Sequence, residues 1–315
     1  MMLTLQEMEL NFLHLLRDAS NAFLDAIFEA ITFLGEQYAL IVLLVIIFYA
    51  FDRKKGERIM YAIFSCSLLN GIVKLFVQRP RPFSSDVDNP VPPARQETAT
   101  GYSFPSGHTQ NSSVAYSSVA LNFRKKWILI VVPIVIALIG FSRLWLGVHY
   151  PTDVIVGLIL GVGSAFLCYF LMTKFEHDFK KKMLLYLGTA LVFLPFVVYF
   201  YISYKIKLSS TDDVELLYRS YKDMFVSYGL FLGFILAVYL EHKYVNFKDT
   251  TLVSHKILRV VFGLIFVIAT YALLSVLFKA INEFCIELDM IRYFMVSVVG
   301  IGLYPIIMKK WLFKD

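Results

Sequence analysis

Long apolar runs dominate the sequence and constrain its fold more than any other feature. A run of about 20 apolar residues is long enough to cross the hydrocarbon core of a bilayer as a helix. The runs, some of them shorter than this, predict nine transmembrane helices near residues 36–51, 58–77, 108–122, 127–146, 151–172, 183–203, 225–241, 258–279 and 291–308. The composition agrees, because 58% of the residues are hydrophobic and 17% are charged, where soluble domains have about 45–50% and 25%. The sequence therefore predicts an all-α integral membrane protein, a polytopic helical bundle.

The first 35 residues show a different pattern. Their apolar side chains share one helical face and their acidic side chains fall elsewhere; the two sets are Phe23, Leu24, Ile27, Phe28 and Ile31, and Asp18, Asp25 and Glu29. This pattern predicts an amphipathic helix over residues 1–35 that lies in the membrane interface. The alternative is a tilted tenth span.

Basic residues between the apolar runs predict the orientation. They form blocks in alternate connections, at residues 53–58, 124–126, 180–182 and 309–310. By the positive-inside rule these connections are cytoplasmic, so the loops 78–107, 209–223 and 282–289 face outside. Membrane orientation accounts for the net charge of +6, and no nucleic-acid partner is predicted.

The three cysteines do not suggest a disulfide framework or a metal site. Cys66 and Cys168 fall inside apolar runs, and Cys285 falls in a loop. Isolated cysteines of this kind are typical packing residues. No removable signal peptide is visible, so the first apolar span is expected to act as the insertion signal.

Three polar clusters occur where predicted spans meet the outer side. The first is Lys74 followed by Arg81-Pro82, and the second is Pro105-Ser106-Gly107-His108. The third is Ser142-Arg143 with His149 and Asp153. Charged residues this close to hydrocarbon are costly and mark function. Taken singly, each residue has a structural explanation, such as a snorkelling lysine, a helix-end histidine or a packing serine. It is the three-part arrangement at one membrane level that favours a site.

The residue types in these clusters suit phosphate chemistry. Lys74, Arg81 and Arg143 are three cations, and two of them are guanidinium forks that match phosphate oxygens. The segment from Ser106 to His108 opens a helix, whose free N–H groups attract an anion.

The two histidines and Asp153 predict a division of catalytic roles. Asp153 follows His149 by four residues, so its carboxylate can keep one ring nitrogen protonated while the other attacks phosphorus. His108 is then available to protonate the leaving oxygen as a general acid.

The three clusters resemble the signature of the type-2 phosphatidic acid phosphatase superfamily. That signature is a lysine, six residues and Arg-Pro; then Pro-Ser-Gly-His; then Ser-Arg, five residues, His, three residues and Asp, and the sequence matches it at every position from Lys74 to Asp153. The resemblance implies hydrolysis through a phosphohistidine on His149, with no metal and no cofactor. It also implies that His108 is the acid, that Asp153 supports His149, and that phosphate is bound by Lys74, Arg81, Ser106, Gly107 and Arg143.

The predicted function is therefore hydrolysis of a lipid phosphate or pyrophosphate, of the phosphatidic acid, phosphatidylglycerophosphate or polyprenyl pyrophosphate class. A lipid phosphotransferase with the same site is one alternative, and a non-enzymatic transporter is another. The expected location is the plasma membrane, with the site facing the outside or periplasm. Within the loop 78–107, Arg79 and Arg95 are predicted to help select the headgroup.

The chain is accordingly divided into three predicted parts. Residues 1–35 form the amphipathic helix, residues 36–172 the phosphatase core, and residues 173–315 an extension of about four transmembrane helices. The extension contains no recognisable catalytic motif. Its predicted role is structural or dimerising, with a homodimer through these helices as one expectation, and shaping of a lateral lipid entrance is the alternative.

Overall fold

The computed structural model describes residues 4–95, 99 and 101–313, and the described part is helical without strands. The first seven helices are α1 (Leu5–Asp18), α2 (Ala22–Phe33), α3 (Gln37–Ile46, continued by a π-helical turn Ile47–Phe51), α4 (Arg53–Val77), α5 (Gly107–Phe123), α6 (Lys126–Trp145) and α7 (Pro151–Phe175). The others are α8 (Phe179–Leu208), α9 (Val214–Tyr244), α10 (Val253–Ile281), α11 (Ile286–Ser297, continued by a π-helical turn Val298–Leu303), α12 (Tyr304–Ile307) and α13 (Lys309–Leu312). The predicted all-α membrane fold is confirmed.

The described helices include seven that are long and apolar enough to cross a membrane, or eight if the bent pair of α2 with α3 and its π-helical turn is one span. The predicted count of nine is therefore not confirmed. It treated residues 36–51 as a span by themselves, but these residues form the second arm of that pair, which bends by 43°. It also included α5, which has 17 residues and a run of serines in place of a continuous apolar surface.

The N-terminal region forms two helices rather than one helix over residues 1–35. Thr4 and Glu7 cap the start of α1 reciprocally, since Thr4 Oγ1 accepts from Glu7 N and Glu7 Oε2 accepts from Thr4 N. Asn21 begins the second helix, because its side chain accepts a hydrogen bond from Leu24 N at 3.0 Å. Such N-caps satisfy amide groups that the helix itself leaves without a partner. The cap at Asn21 accounts for the break that the apolar periodicity did not reveal.

The chain forms two compact units. The first comprises residues 1–40 and 69–167, and the second comprises residues 41–68 and 168–315. These units do not follow the predicted boundaries after residues 35 and 172, and the assignment of separate roles to the three predicted parts stays a prediction. The candidate site lies in the first unit.

In the first unit, α7 packs closely against α5. A Cβ atom added at Gly157 would lie 2.9 Å from the carbonyl oxygen of Ser106, and one added at Gly161 would lie 2.6 Å from Ser113 Cβ. These glycines therefore let the two helix backbones approach, as small residues do in membrane bundles. The contact brings the start of α5 beside the start of α7, where two of the three motifs lie.

The N-terminal helices of the first unit pack on the connections that precede α5 and α7. Leu10 and Leu13 of α1 are buried in a cluster with Val87, Val91 and Tyr150. The ring of Phe28 in α2 lies 4.8 Å from that of Trp145. Both helices therefore cover the segments that carry the candidate site.

The second unit is held by polar contacts among apolar helices. Glu57 of α4 accepts a hydrogen bond from Tyr186 at 2.8 Å and pairs with Lys182 at 2.6 Å. Arg53 pairs with Glu241 of α9, and the buried Arg259 of α10 donates to the carbonyl oxygen of Leu312 at 2.8 Å. Buried charges need such partners.

Candidate active site

Residues from all three motifs lie at helix ends in the first unit. Lys74 is in the last turn of α4, Ser106 caps α5, Arg143 is in the last turn of α6 and Asp153 is in the first turn of α7, while Arg81 and His149 lie in the connections. These six residues are buried, with exposures between 0% for Asp153 and 8% for Lys74. Ionisable side chains are rarely buried without a partner, so their common burial marks a polar site.

His149 and Asp153 form the centre of the site. His149 Nδ1 lies 3.3 Å from Asp153 Oδ2 and 3.4 Å from Ser103 Oγ. On the other side of the ring, Nε2 lies 3.2 Å from Arg81 Nη1. Because a carboxylate accepts and a guanidinium donates, these partners favour the tautomer with the proton on Nδ1. The lone pair of Nε2 then faces the cations, as a nucleophile toward phosphorus requires.

The electrostatic surroundings keep His149 neutral. Burial is the largest cause that lowers the pKa of its imidazole well below the usual 6.5, and the charges of Arg81, Arg143 and Lys74 lower it further. A buried group resists becoming charged, and nearby cations oppose a further positive charge. A neutral imidazole is the form that can attack.

Arg81 and Arg143 are held in fixed orientations. Arg81 donates from Nε to the carbonyl oxygen of Gly101 at 2.9 Å and from Nη1 to that of Val148 at 3.0 Å. Arg143 donates from Nη1 to Thr32 Oγ1 at 2.8 Å. Within the described ranges, its buried Nε and Nη2 atoms have no hydrogen-bond partner. Two adjacent donors of this kind match two oxygens of a phosphate.

His108 completes this polar cluster. Its buried Nε2 atom also has no hydrogen-bond partner in the part of the chain that the structure describes. The imidazole interacts electrostatically with His149 and with the cations Arg143, Arg81 and Lys74. A buried polar atom without a partner is unusual in proteins, and here it indicates a position for a ligand.

The start of α5 lies beside Lys74. A Cβ atom added at Gly107 would come 3.9 Å from Lys74 Nζ and 3.4 Å from Asn70 Oδ1. Ser106 Oγ accepts from the Thr109 amide and hydroxyl groups at 3.4 and 3.0 Å, so it serves as the N-cap. The ammonium group and the positive end of the helix thus act on the same space.

Several residues at the site were not predicted. Ser103 donates to Asp153 Oδ2, and Thr32 orients Arg143. Arg79 pairs with Asp153 Oδ1 at 3.0 Å and with Glu9 at 2.6 Å, while Arg95 pairs with Glu36 at 3.1 Å. Arg79 and Arg95 are therefore committed to carboxylates of the protein, which differs from their predicted role in headgroup selection. Ser103 and Thr32 lie outside the three motifs, so no motif spacing pointed to them.

The fold and the site together define a class: a polytopic helical membrane protein with a buried histidine facing a cluster of cations. Residues 56–177 match the family described as PAP2 superfamily, and residues 225–314 match the PAP2 superfamily phosphatase, transmembrane extension.

Among curated proteins, the chain is 31% identical to phosphatidylglycerophosphatase B of Bacillus subtilis, over 50% of this chain and 78% of that protein. It is 32% identical to undecaprenyl-diphosphatase BcrC of the same species, over 47% and 74%. The crystal structure of a PAP2-type phosphatidylglycerolphosphate phosphatase from Bacillus subtilis matches with 28% identity and a TM-score of 0.46, over 54% of this chain and 86% of that one. The chain belongs to the PAP2 superfamily, which confirms the resemblance of its motifs.

Proposed function

We propose that this PAP2 superfamily phosphatase hydrolyses a phosphate or pyrophosphate ester of a membrane lipid through a phosphohistidine at His149. The observation that carries the proposal is the arrangement around the His149 ring. Asp153 lies at Nδ1 of the ring and Arg81 at Nε2. The positive charges of Lys74 and Arg143 also act on the His149 imidazole. Such a site orients a nucleophile and neutralises the oxygens of the group that it attacks.

In the first step His149 Nε2 attacks phosphorus and the bond from phosphorus to the ester oxygen breaks. The negative charge of the bound phosphate favours a protonated His108. The departing oxygen takes this proton, so that an alcohol or a phosphate leaves. Lys74, Arg81 and Arg143 hold the non-bridging oxygens, together with the hydroxyl group of Ser106 and the amide group of Gly107 at the start of α5. The positive charge that develops on the His149 ring is stabilised by the carboxylate of Asp153.

In the second step a water molecule cleaves the phosphohistidine. His108, now neutral, accepts a proton from the water as its oxygen bonds to phosphorus and the nitrogen–phosphorus bond breaks. Inorganic phosphate leaves, and both histidines return to their initial protonation states. The same residue thus acts as acid and then as base, as two-step phosphoryl transfer requires.

The names of the relatives support a lipid substrate. One is a phosphatidylglycerophosphatase, another is an undecaprenyl-diphosphatase, and a third is a lipid A 4'-phosphatase of Bacteroides thetaiotaomicron, 31% identical over 35% of this chain. Each of these names describes a phosphate on a lipid. The site of this chain lies at the ends of membrane helices, where a lipid headgroup would be.

The proposed setting is the plasma membrane, with the site facing the outside or periplasm. Helices α4 to α7 each carry a site residue or motif at one end and a basic residue at the other, such as Lys126 and Arg143 in α6. Under the positive-inside rule the site ends face away from the cytoplasm. The nine-span topology, an interfacial position for α1, and a homodimer through residues 173–315 are parts of the same proposal.

The test is phosphate release from a panel of purified lipids by the full chain in detergent. The panel holds phosphatidic acid, phosphatidylglycerophosphate, lipid A and undecaprenyl pyrophosphate. We expect at least one to release phosphate, in the presence of EDTA as well as without it. His149→Ala should abolish turnover, because it removes the proposed nucleophile, while His177→Ala, at a side chain that is 87% exposed, should keep full activity.

Other outcomes would point elsewhere. Retained activity in the His149→Ala protein would contradict the assignment of the nucleophile. Transfer of the phosphoryl group to an added alcohol without phosphate release would identify a phosphotransferase. Failure of every lipid in the panel would contradict the proposed function.

A further inference from the structure

Glu9 is a buried carboxylate on α1, outside the segment that matches the superfamily. Its side chain is 5% exposed. Oε2 accepts from Arg79 Nη2 at 2.6 Å, and Oε1 accepts from the Thr152 backbone amide at 2.7 Å. That amide is in the first turn of α7, where helical N–H groups have no partner within the helix. One carboxylate thus joins α1 to Arg79 and to the start of the helix that carries Asp153.

Arg79 is held on several sides. Besides Glu9, its guanidinium donates from Nη1 to Asp153 Oδ1 at 3.0 Å and to Thr152 Oγ1 at 2.7 Å. Its central carbon lies 3.6 Å from the ring centroid of Tyr150, which favours a cation on the aromatic face. Arg79 therefore bridges two carboxylates in a fixed geometry.

Asp153 makes different contacts through its two oxygens. Oδ1 is bound by Arg79, while Oδ2 accepts from Ser103 Oγ, from Tyr150 N at 2.9 Å and from His149 Nδ1. The side chain is fully buried, so the carboxylate depends on these donors to remain charged. Arg79 is its cationic partner, and it prevents the carboxylate from rotating away from the His149 ring.

We propose that Glu9 and Arg79 are positioning residues for the His149–Asp153 pair, so that α1 is a working part of the active site. This inference rests on the proposed function of His149. Glu9 aligns Arg79, Arg79 fixes Asp153, and Asp153 stabilises the imidazole as positive charge develops on it. Neither side chain has to touch the substrate.

A structural role for Glu9 alone would be redundant with other contacts of α1. The helix is already anchored by the buried Leu10 and Leu13 and by Arg17, which pairs with Asp25 at 2.9 Å. Loss of the Glu9 carboxylate should therefore leave α1 in place. Replacement of Glu9 by glutamine removes one of the two oxygens that accept from Arg79 and from the Thr152 amide, because a glutamine side chain has a single acceptor oxygen.

The experiment compares Glu9→Gln, Arg79→Lys and the double variant in full-length protein, with the lipid that wild type hydrolyses best. We expect Glu9→Gln to lower kcat by about 10- to 100-fold, the range for one hydrogen bond to a charged group. KM and the inhibition constant of inorganic phosphate should stay within about threefold of wild type, since the cations that bind phosphate are unchanged. Glu7→Gln is the control, because Glu7 is on the same helix, is exposed and caps Thr4.

The double variant decides whether the two residues act together. If Glu9 acts through Arg79, the double variant should be no slower than Arg79→Lys alone. Effects that multiply, or an unchanged kcat in Glu9→Gln, would overturn the inference. A parallel loss of kcat, phosphate inhibition and thermal stability would also overturn it in favour of a folding role. Failure of wild type to release phosphate from any lipid would instead refute the proposed function, and this inference with it.

Discussion

At the scale of single residues, most of the buried ionisable groups in the first unit have a polar partner. Asp153 is matched by Arg79, Glu36 by Arg95, and Arg143 by Thr32 on one of its nitrogens. The buried nitrogen atoms without a hydrogen-bond partner in the described ranges include those of Arg143 and His108, two residues that interact electrostatically with His149. Leaving such atoms without partners costs stability. We therefore interpret the nitrogen atoms of Arg143 and His108 as part of the place where the phosphate binds.

His149 should stay neutral at pH values where an ordinary histidine is charged. Burial and the charges of Arg81, Arg143 and Lys74 lower its pKa below 6.5. We expect ¹⁵N NMR of histidine-labelled protein, with signals assigned by His149→Ala, to show a neutral ring protonated on Nδ1 at pH 6. Replacement of Arg81 by glutamine removes one cation and should raise this pKa. A His149 signal that titrates at 6.5 or above would contradict the prediction.

The same shift has a consequence for stability. In an unfolded chain the histidine pKa is near 6.5, which is above the pKa of His149 in the folded site. As the pH falls below 6.5, the unfolded chain therefore binds more protons than the folded protein. Folded protein should therefore lose stability from pH 6.5 down to the lowered pKa of His149, and keep the full contribution of the neutral ring above 6.5.

At the scale of helices, the contact of α5 with α7 determines the separation of two motifs. The glycines of α7 meet α5 closely: a Cβ atom at Gly161 would overlap the backbone of Gln110 and the side chain of Ser113. Close approach of this kind allows Ser106 N to donate to the carbonyl oxygen of Asp153 at 3.0 Å. The geometry between the second and third motifs is therefore set by small side chains in the membrane region.

Gly161→Ala should destabilise the protein, because the added Cβ atom has no room between α5 and α7. Forcing a methyl group into a well-packed contact costs about 1–3 kcal/mol. The matched control is Gly163→Ala, two residues further along α7, where an added Cβ atom meets nothing described within 4 Å. Thermal unfolding in detergent, followed by circular dichroism, measures both. Equal unfolding temperatures for the two variants would show that the contact does not constrain the fold.

At the scale of the whole molecule, charge is distributed between the two ends of the helices. In α4 the basic residues Arg53, Lys54, Lys55 and Arg58 lie at the start and Lys74 in the last turn. In α5 the order is reversed, since His108 is in the first turn and Arg124 follows the end. Helices of this length span about 25–40 Å, so each separates a site end from a basic end. This alternation is the basis for the proposed orientation.

Accessibility of single cysteines in intact cells should report that orientation. In a Cys285→Ser background, Ser85→Cys in the exposed loop before α5 should react with a membrane-impermeant maleimide. Lys181→Cys, at a side chain that is 64% exposed, should react only after the cells are permeabilised, because a basic block marks the cytoplasmic side. Labelling of Lys181→Cys in intact cells would reverse the proposed topology.

The sequence by itself determined the class of fold and the positions of the motifs. Apolar runs predicted most of the long helices, because a membrane helix must satisfy its backbone polar groups internally and therefore appears as a continuous local pattern. Motif spacing likewise predicted that His149 and Asp153 would share one end of α7. Both features depend on residues that are near one another in the chain.

Only the tertiary structure decided which distant residues complete the site. Glu9, Thr32 and Ser103 reach Arg79, Arg143 and Asp153 across 70, 111 and 50 positions of sequence. No periodicity or spacing encodes such pairs, because they form when separate helices pack and buried charges must find partners. His149 and Asp153 could thus be predicted as a pair from the sequence, whereas Glu9, Thr32 and Ser103 became visible only in the fold.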